Sequence, residues 1–437
     1  MPLRIGIRQE QKILEEKRAP LIPSHVRELI DRDSLDIRIQ SSSVRIFADA
    51  DYRREGARIT DDLSDCDIIL ALKEIPLTKI YPGKVYLFFS HTAKGQPQNM
   101  PMLKRLIDLK CTLIDYEKIV DDKGRRLVFF GKQAGLAGMI DSLWALGQRL
   151  RLEGIPSPFS YLRHTPRYLS LVEAEEDIRE VGREIRENGL PPGLAPLVCG
   201  ITGYGHTSLG AQEIFGLLPV ENVAPRDLPS LFKKKNYSAG RVYKVIFKEE
   251  DMVEPRRGYG PFRLRDYYEH PRKYRPRLSS YLPYLTMLVN CIYWSPKYPK
   301  FVTLTALRRL YGGKKPPRLR VIGDISCDIN GAIESTVKAT HLQNPVYVYD
   351  LKRRRALDGF KGRGPVVMSV YNLPAEIPLE SSVFFSQVLK DFIPSLAAAD
   401  FGGTFEDCRL PNPLQKAVIL YRGEFTPAYQ HMTQYLG

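Results

Sequence analysis

The chain has 437 residues, 43% of them hydrophobic and 26% charged, which is too long for one hydrophobic core and too polar for a membrane bundle, so two or three globular domains are expected. Its net charge of +15 favours anionic partners, among them dicarboxylates, phosphorylated cofactors and nucleic acid. No apolar run is long enough to span a bilayer, and Met1–Arg8 carries arginines where a secretory signal needs an apolar stretch, so neither membrane insertion nor secretion is expected. The six cysteines (Cys66, Cys111, Cys199, Cys291, Cys327, Cys408) are scattered with no C-x-x-C pair, the usage of a cytoplasmic protein with buried thiols and no metal site.

In chain order, short apolar runs at 3–8, 36–38, 44–48, 66–72, 84–89 and 111–115 predict strands, with helices among them at His25–Asp31 and Met100–Leu109. That alternation is the pattern of a parallel α/β sheet. Gly131–Glu153 predicts the longest helix, its small residues allowing close packing, and Leu171–Asn188 a polar one closed by Gly189 and Pro191-Pro192-Gly193. A strand at Pro196–Thr202 opens a second α/β region, with further strands at 241–247, 319–324, 346–349 and 365–370 and an amphipathic helix over 381–399. The fold class expected is α/β: two Rossmann-like domains with parallel sheets and an interdomain cleft. Residues 1–140, completed by 371–437, form the expected substrate domain, and 141–370 the dinucleotide-binding domain.

Two fragments carry the chemistry of the first domain. Ala71-Leu72-Lys73-Glu74 and Phe88-Phe89-Ser90-His91-Thr92 each follow a buried-strand run. A lysine and a histidine at the carboxyl ends of successive strands face the crevice where open α/β sheets bind ligands. Burial and neighbouring charge there can bring both to pKa values useful for proton transfer near neutrality. Alone, each is equally a solvated lysine or a hydrogen-bonded turn histidine; a nucleotide loop further along the chain favours the functional reading. Residues 253–277 interleave arginines and tyrosines, a pattern that can bind single-stranded nucleic acid but is more ordinary as a solvated loop over packed tyrosines. Nucleic acid is therefore not the expected partner.

The loop is Gly203-Tyr204-Gly205-His206-Thr207-Ser208-Leu209-Gly210, between a strand and a helix, the context that a dinucleotide fingerprint requires. Gly203 makes the turn, Gly205 admits the pyrophosphate, and the helix start favours its charge. Ser208 replaces the third glycine, with Gly210 two residues on. About twenty residues later the chain has Arg226 rather than an acid at the expected strand end, which leans toward NADP, with Glu221 and Asp227 leaving NAD open.

Taken together, several segments resemble the lysine–2-oxoglutarate reductase family, the lysine-forming saccharopine dehydrogenases, including the N-terminal part of the bifunctional aminoadipic semialdehyde synthases. They are Glu16–Pro23, Leu72-Lys73-Glu74, Phe88–Thr92, Leu113–Lys118, Ala134–Ile140, Thr202–Gly205, Asn290–Trp294, Asp324–Asp328 and Asn372-Leu373-Pro374-Ala375. The wider group is the alanine dehydrogenase and transhydrogenase superfamily, whose N-terminal domain the first region resembles. The resemblance implies Lys73 and His91 as the acid–base pair, Arg18 as a carboxylate-binding residue, Glu74 and Glu117 as acidic neighbours, and Asp324 among the cofactor-binding positions. It implies that lysine and 2-oxoglutarate condense and are reduced by NAD(P)H to saccharopine. One departure is Tyr371, where relatives carry an acid before the Asn-Leu-Pro-Ala run. The alternatives are another amino-acid or opine-type dehydrogenase on this scaffold, and a non-catalytic nucleotide- or nucleic-acid-binding protein; oligomeric state is left open.

Overall fold

The computed structural model describes residues 3–11 and 16–436. It is an α/β protein of two eight-stranded, mostly parallel sheets. The chain divides into two compact units, Met1–Phe130 with Pro378–Gly437, and Gly131–Ile377. No helix among the described residues is long and apolar enough to cross a membrane.

The first unit begins with β1 (Ile5–Ile7), β2 (Ile37–Gln40), β3 (Arg58–Thr60), β4 (Ile68–Leu70), β5 (Val85–Phe88) and β6 (Thr112–Asp115). All six run parallel, in the spatial order β6-β5-β4-β1-β2-β3. The chain therefore builds outward from β1 to one side through β2 and β3, then returns to build β4, β5 and β6 on the other. The reversal between β1 and β4 opens a crevice at their carboxyl ends. Ile5, Ile7, Ile68, Leu70, Leu87 and Phe88 are fully buried, as strands covered on both faces must be.

The strand expected at 44–48 does not form, and β3 lies at Arg58–Thr60 instead. The apolar residues there lose to local turn chemistry. Ser42 Oγ accepts from the amides of Val44 and Arg45 at 3.4 and 3.3 Å, and Arg45 Nη2 donates to the Gln40 carbonyl at 2.7 Å.

The second unit starts with the helix Gly131–Leu152, one continuous element, which is why the divide falls at its start rather than at 140. Its strands are β7 (Leu197–Thr202), β8 (Val220–Asn222), β9 (Val242–Phe247), the two-stranded ribbon β10 (Val253–Pro255) with β11 (Tyr274–Pro276), then β12 (Met287–Asn290), β13 (Val321–Asp324), β14 (Val346–Asp350), β15 (Arg355–Asp358) and β16 (Val366–Met368). The sheet order is β15-β14-β16-β13-β12-β7-β9-β8, with β14 alone reversed, antiparallel to both β16 and β15. Its reversal lies between β7 and β12. The helix Gly131–Leu152 meets the helix His206–Phe215 backbone to backbone: a Cβ on Gly135 would lie 2.0 Å from the Thr207 carbonyl oxygen, and one on Gly210 2.2 Å from that of Lys132. The ribbon closes the basic stretch, with Tyr267 and Tyr274 buried beneath exposed arginines.

The chain then returns to the first sheet. The helix Pro378–Leu389 and the short helix Ile393–Ala397 replace the single helix expected over 381–399, with a tight turn at Lys390–Phe392 between them. β17 (Val418–Tyr421) adds antiparallel to β6, and β18 (Glu424–Phe425) to β17.

Candidate active site

Residues just past β1, β4 and β5 meet at the first crevice. Glu10, buried beyond β1, accepts from the amides of Leu72 and Lys73 at 2.7 and 3.1 Å, which fixes the Lys73 backbone. Burial lowers the Lys73 pKa, aided by the Arg18 charge and opposed by Glu16, Glu74 and Glu10. Past β5, His91 has a left-handed backbone (φ 48°), a conformation disfavoured for a side chain of this size. Its Nδ1 lies 2.9 Å from Glu74 Oε1, and Asn99 Nδ2 bridges the Glu74 carboxylate (3.3 Å) and the His91 carbonyl (3.1 Å). Glu74, His91 and Asn99 thus share one hydrogen-bond network, and the Glu74 charge also acts on Lys73.

Arg18 lies in the same electrostatic neighbourhood, but its guanidinium is already engaged. Nε and Nη2 donate to the two carboxylate oxygens of Glu16 at 2.7 and 2.6 Å, and the plane stacks 4.6 Å from the Phe130 ring centroid. The returning helix holds this segment: Ser382 and Ser386 hydroxyls accept from the amides of Ala19 and Ile22, each at 2.9 Å. Glu117 is the other acid expected at the site. It follows β6, its amide donates to Asp115 Oδ1 at 2.8 Å, and its carboxylate pairs with Arg126 at 3.4 Å. Asp115 is fully buried, and burial pushes its carboxyl up to about 6 against the hydrogen bonds from Ser90 and the Glu117 amide.

In the second unit, a pocket of about 280 Å³ opens at the carboxyl ends of β7, β9 and β12. Gly203, Tyr204 and Gly205 line it, with Glu249, Met252, Tyr267, Tyr268, Ile292 and Trp294 among its other walls. Gly203 has φ +80° and a Cβ there would meet Ile292 at 2.8 Å, so the turn requires glycine. A Cβ on Gly205 would meet nothing within 4 Å, leaving open space against the backbone at the start of the helix His206–Phe215. That is the cradle a pyrophosphate needs.

Other loop positions serve the scaffold. Ser208 is buried and accepts from Gln212 Nε2 at 3.1 Å, and Gly210 makes the helix–helix contact. Asp324, at the end of β13, is buried and accepts from Asn290 Nδ2 (2.8 Å) and Thr336 Oγ1 (2.5 Å). Asn290 in turn accepts from Thr202 Oγ1 at 2.8 Å, so the chain of bonds ties the ends of β7, β12 and β13 together. Burial pushes the Asp324 carboxyl up to about 6.

Arg226 is exposed on the turn Pro225–Asp227 after the edge strand β8 and does not line the pocket. The strand beside β7 is β9, which pairs Phe247 with Thr202 and continues into Lys248-Glu249-Glu250-Asp251. An acid therefore does follow the strand next to the glycine turn; because sheet order departs from chain order, it lies after β9 and not after β8. Glu249 Oε1 accepts from the Tyr268 hydroxyl at 2.6 Å. Tyr371 is half exposed, edge-on to His341 at 5.3 Å.

Residues 6–137 match the family model for the alanine dehydrogenase/PNT N-terminal domain. The chain is 41% identical over 443 residues to alpha-aminoadipic semialdehyde synthase of Arabidopsis thaliana, covering 98% of this chain and 41% of that protein. The mitochondrial alpha-aminoadipic semialdehyde synthase of Bos taurus is 33% identical over 98% of this chain and 47% of its own length. This chain thus spans less than half the length of those relatives. Saccharopine dehydrogenase [NAD(+), L-lysine-forming] of Candida glabrata is 29% identical over 91% of each chain. Among solved structures, an L-alanine dehydrogenase aligns over 100% of both chains with a TM-score of 0.64 and 18% identity. A transhydrogenase from Sinorhizobium meliloti aligns over 97% of this chain and 100% of its own, with a TM-score of 0.57 and 14% identity. The chain is a homologue of the alpha-aminoadipic semialdehyde synthases and of the lysine-forming saccharopine dehydrogenases, on the two-sheet fold of alanine dehydrogenase.

Proposed function

We propose that the chain condenses the ε-amine of L-lysine with 2-oxoglutarate and reduces the product to saccharopine, reversibly, with NADH as the preferred reductant. The observation that carries this reading is the His91–Glu74 bond at the first crevice, next to Lys73, on which the charges of Glu74, Glu16 and Arg18 act. Lys73, its pKa lowered, takes a proton from the substrate ammonium, freeing the amine to attack the ketone carbon. With Nδ1–H bonded to Glu74, the protonated form of His91 can give its Nε2 proton to the departing hydroxyl as water is lost and the imine forms, returning to the neutral ring. Arg18 adds positive charge that draws the dicarboxylate, and Glu16 fixes its plane. A nicotinamide cofactor, when bound, would supply the hydride that reduces the imine. Gly203 and Gly205 would hold its pyrophosphate. Glu249 would accept from the adenosine ribose hydroxyls, where its charge would repel a 2′-phosphate. A cytoplasmic location is part of the proposal, supported by the six free cysteines.

The test is NADH oxidation with lysine, 2-oxoglutarate and both together, with saccharopine measured directly. Oxidation only with both substrates is the expected result; robust turnover with ammonia and pyruvate, and none with lysine, overturns it.

A further inference from the structure

Away from the glycine loop, the second unit carries a buried trio of ligating side chains that the proposed reaction does not use. Asp141 comes from the helix Gly131–Leu152, His164 from the residue before the turn Thr165–Arg167, and Glu376 from the turn Leu373–Glu376. Gly138, one helical turn before Asp141, permits the approach: a Cβ there would meet Ile325 at 2.6 Å and Leu373 at 3.1 Å. The side chains of Asp141 and Glu376 are fully buried and that of His164 is 9% exposed.

The donor atoms face one another without bonding. Asp141 Oδ2, His164 Nε2 and both Glu376 oxygens make no hydrogen bond. His164 Nε2 lies 3.4 Å from Asp141 Oδ2 and 3.5 Å from Glu376 Oε1, and one ligand atom from each residue lies within 4.8 Å of the others. A charge-assisted hydrogen bond would draw these atoms to about 2.7–2.9 Å. Bonds of about 2.0–2.2 Å from a tetrahedral zinc ion instead place neighbouring donors roughly 3.3–3.5 Å apart. The other Asp141 oxygen is held from behind by the Thr165 amide (3.0 Å) and hydroxyl (2.6 Å), the outer-shell support that orients a ligating carboxylate.

We propose that Asp141, His164 and Glu376 form a structural site for one divalent cation, zinc by its donor set. An imidazole donor disfavours calcium and magnesium, which take oxygen ligands. Two carboxylates and a neutral imidazole balance a divalent charge, which removes the cost of burying the carboxylates alone. A water molecule can complete the tetrahedron as the fourth ligand. Without a cation, burial pushes the Glu376 carboxyl well above its usual range. The three ligands come from far-separated parts of the chain, so no spacing motif displays them.

The test uses the untagged full chain, stripped with EDTA and titrated with Zn²⁺ and, separately, with Co²⁺ as a spectroscopic probe. Expected are one cation per chain, a visible Co²⁺ band of tetrahedral type that Zn²⁺ abolishes, and a Tm that rises with Zn²⁺ and falls again with EDTA. Glu376→Gln and His164→Gln should each weaken binding by about tenfold or more. A wild type with no Co²⁺ band and no Tm response to Zn²⁺ overturns the site and leaves a shared proton among the three groups. Undiminished binding in both variants places the metal elsewhere and also overturns it.

Discussion

Glu16 and Arg18 close on each other through two parallel bonds of 2.7 and 2.6 Å, buried at 1% and 4% exposure. A guanidinium held this way is pre-aligned, and its removal takes a charge-assisted fork away from a buried carboxylate. Arg18→Ala should therefore cost about 3–5 kcal/mol of stability, with part recovered in the Glu16→Gln/Arg18→Ala double variant. Urea unfolding of the three proteins measures this. Arg18→Lys, which keeps the charge but loses the fork, should raise KM for 2-oxoglutarate more than KM for NADH; equal effects on both would show a purely structural arginine.

Lys73→Met and His91→Gln should each lower turnover by roughly 10²-fold or more while leaving NADH binding intact. Two unimpaired variants would remove these residues from the mechanism.

The acids around Lys73 set a pH effect with a definite sign. Burial and Arg18 lower its pKa, whereas Glu16 and Glu74 raise it. Removing a raising charge lowers the pKa further, so the limb of the kcat/KM profile governed by Lys73 should move to lower pH in Glu74→Gln. A shift to higher pH, or none, would detach that limb from Lys73.

Gly205→Val is a clean probe of the nucleotide site, because its side chain enters open space and the fold should be undisturbed. Circular dichroism should match wild type while NADH binding is lost. Arg226→Ala should leave both cofactor affinities unchanged, and Glu249→Ala should weaken NADH and narrow the gap to NADPH. A wild type that prefers NADPH would sink the role assigned to Glu249.

Asp324 gives a stability signature in the apo protein. Its folded pKa is raised from 3.8 to about 6, so the folded form holds its proton more tightly than the unfolded chain does. The resulting stabilisation is fully present below pH 3.8 and is lost as pH rises through about 6. That amounts to about 3 kcal/mol at roughly 1.4 kcal/mol per unit. Asp324→Asn, which does not titrate, should gain on wild type by that order between pH 4 and 7; a pH-independent difference would show that Asp324 is not perturbed.

Most of the architecture was legible because both sheets are built from buried apolar runs broken by glycine, proline and short helices. Leu171–Asn188 matches its predicted helix to the residue, with Ser170 capping and Gly189 closing it. The run 44–48 misled because its apolar character is carried by a turn that Ser42 and Arg45 hold with side-chain bonds. That Lys73, His91, Gly203 and Gly205 follow strand ends could be read from the apolar runs before them. The place of Glu249 could not, although β9 was expected: sequence order gives no sign that β9, rather than β8, lies beside β7. Glu10 and Asn99 matter through hydrogen bonds to residues distant in the chain, which no periodicity encodes, and Glu16 through a fork to Arg18 two residues on. Glu117 and Gly210 fall in matching segments, yet their neighbours here are Arg126 and a helix backbone.

The first unit is assembled from two separated stretches, while the second is one uninterrupted segment. During synthesis the nucleotide-binding segment is therefore complete before the first sheet has all its parts. β17 and the serines that hold Ala19 and Ile22 emerge only afterwards. Arg18 is made before the nucleotide-binding segment and set in place only after it, so a nascent chain stalled at 377 can already hold a nucleotide cradle but has no finished grip for a carboxylate.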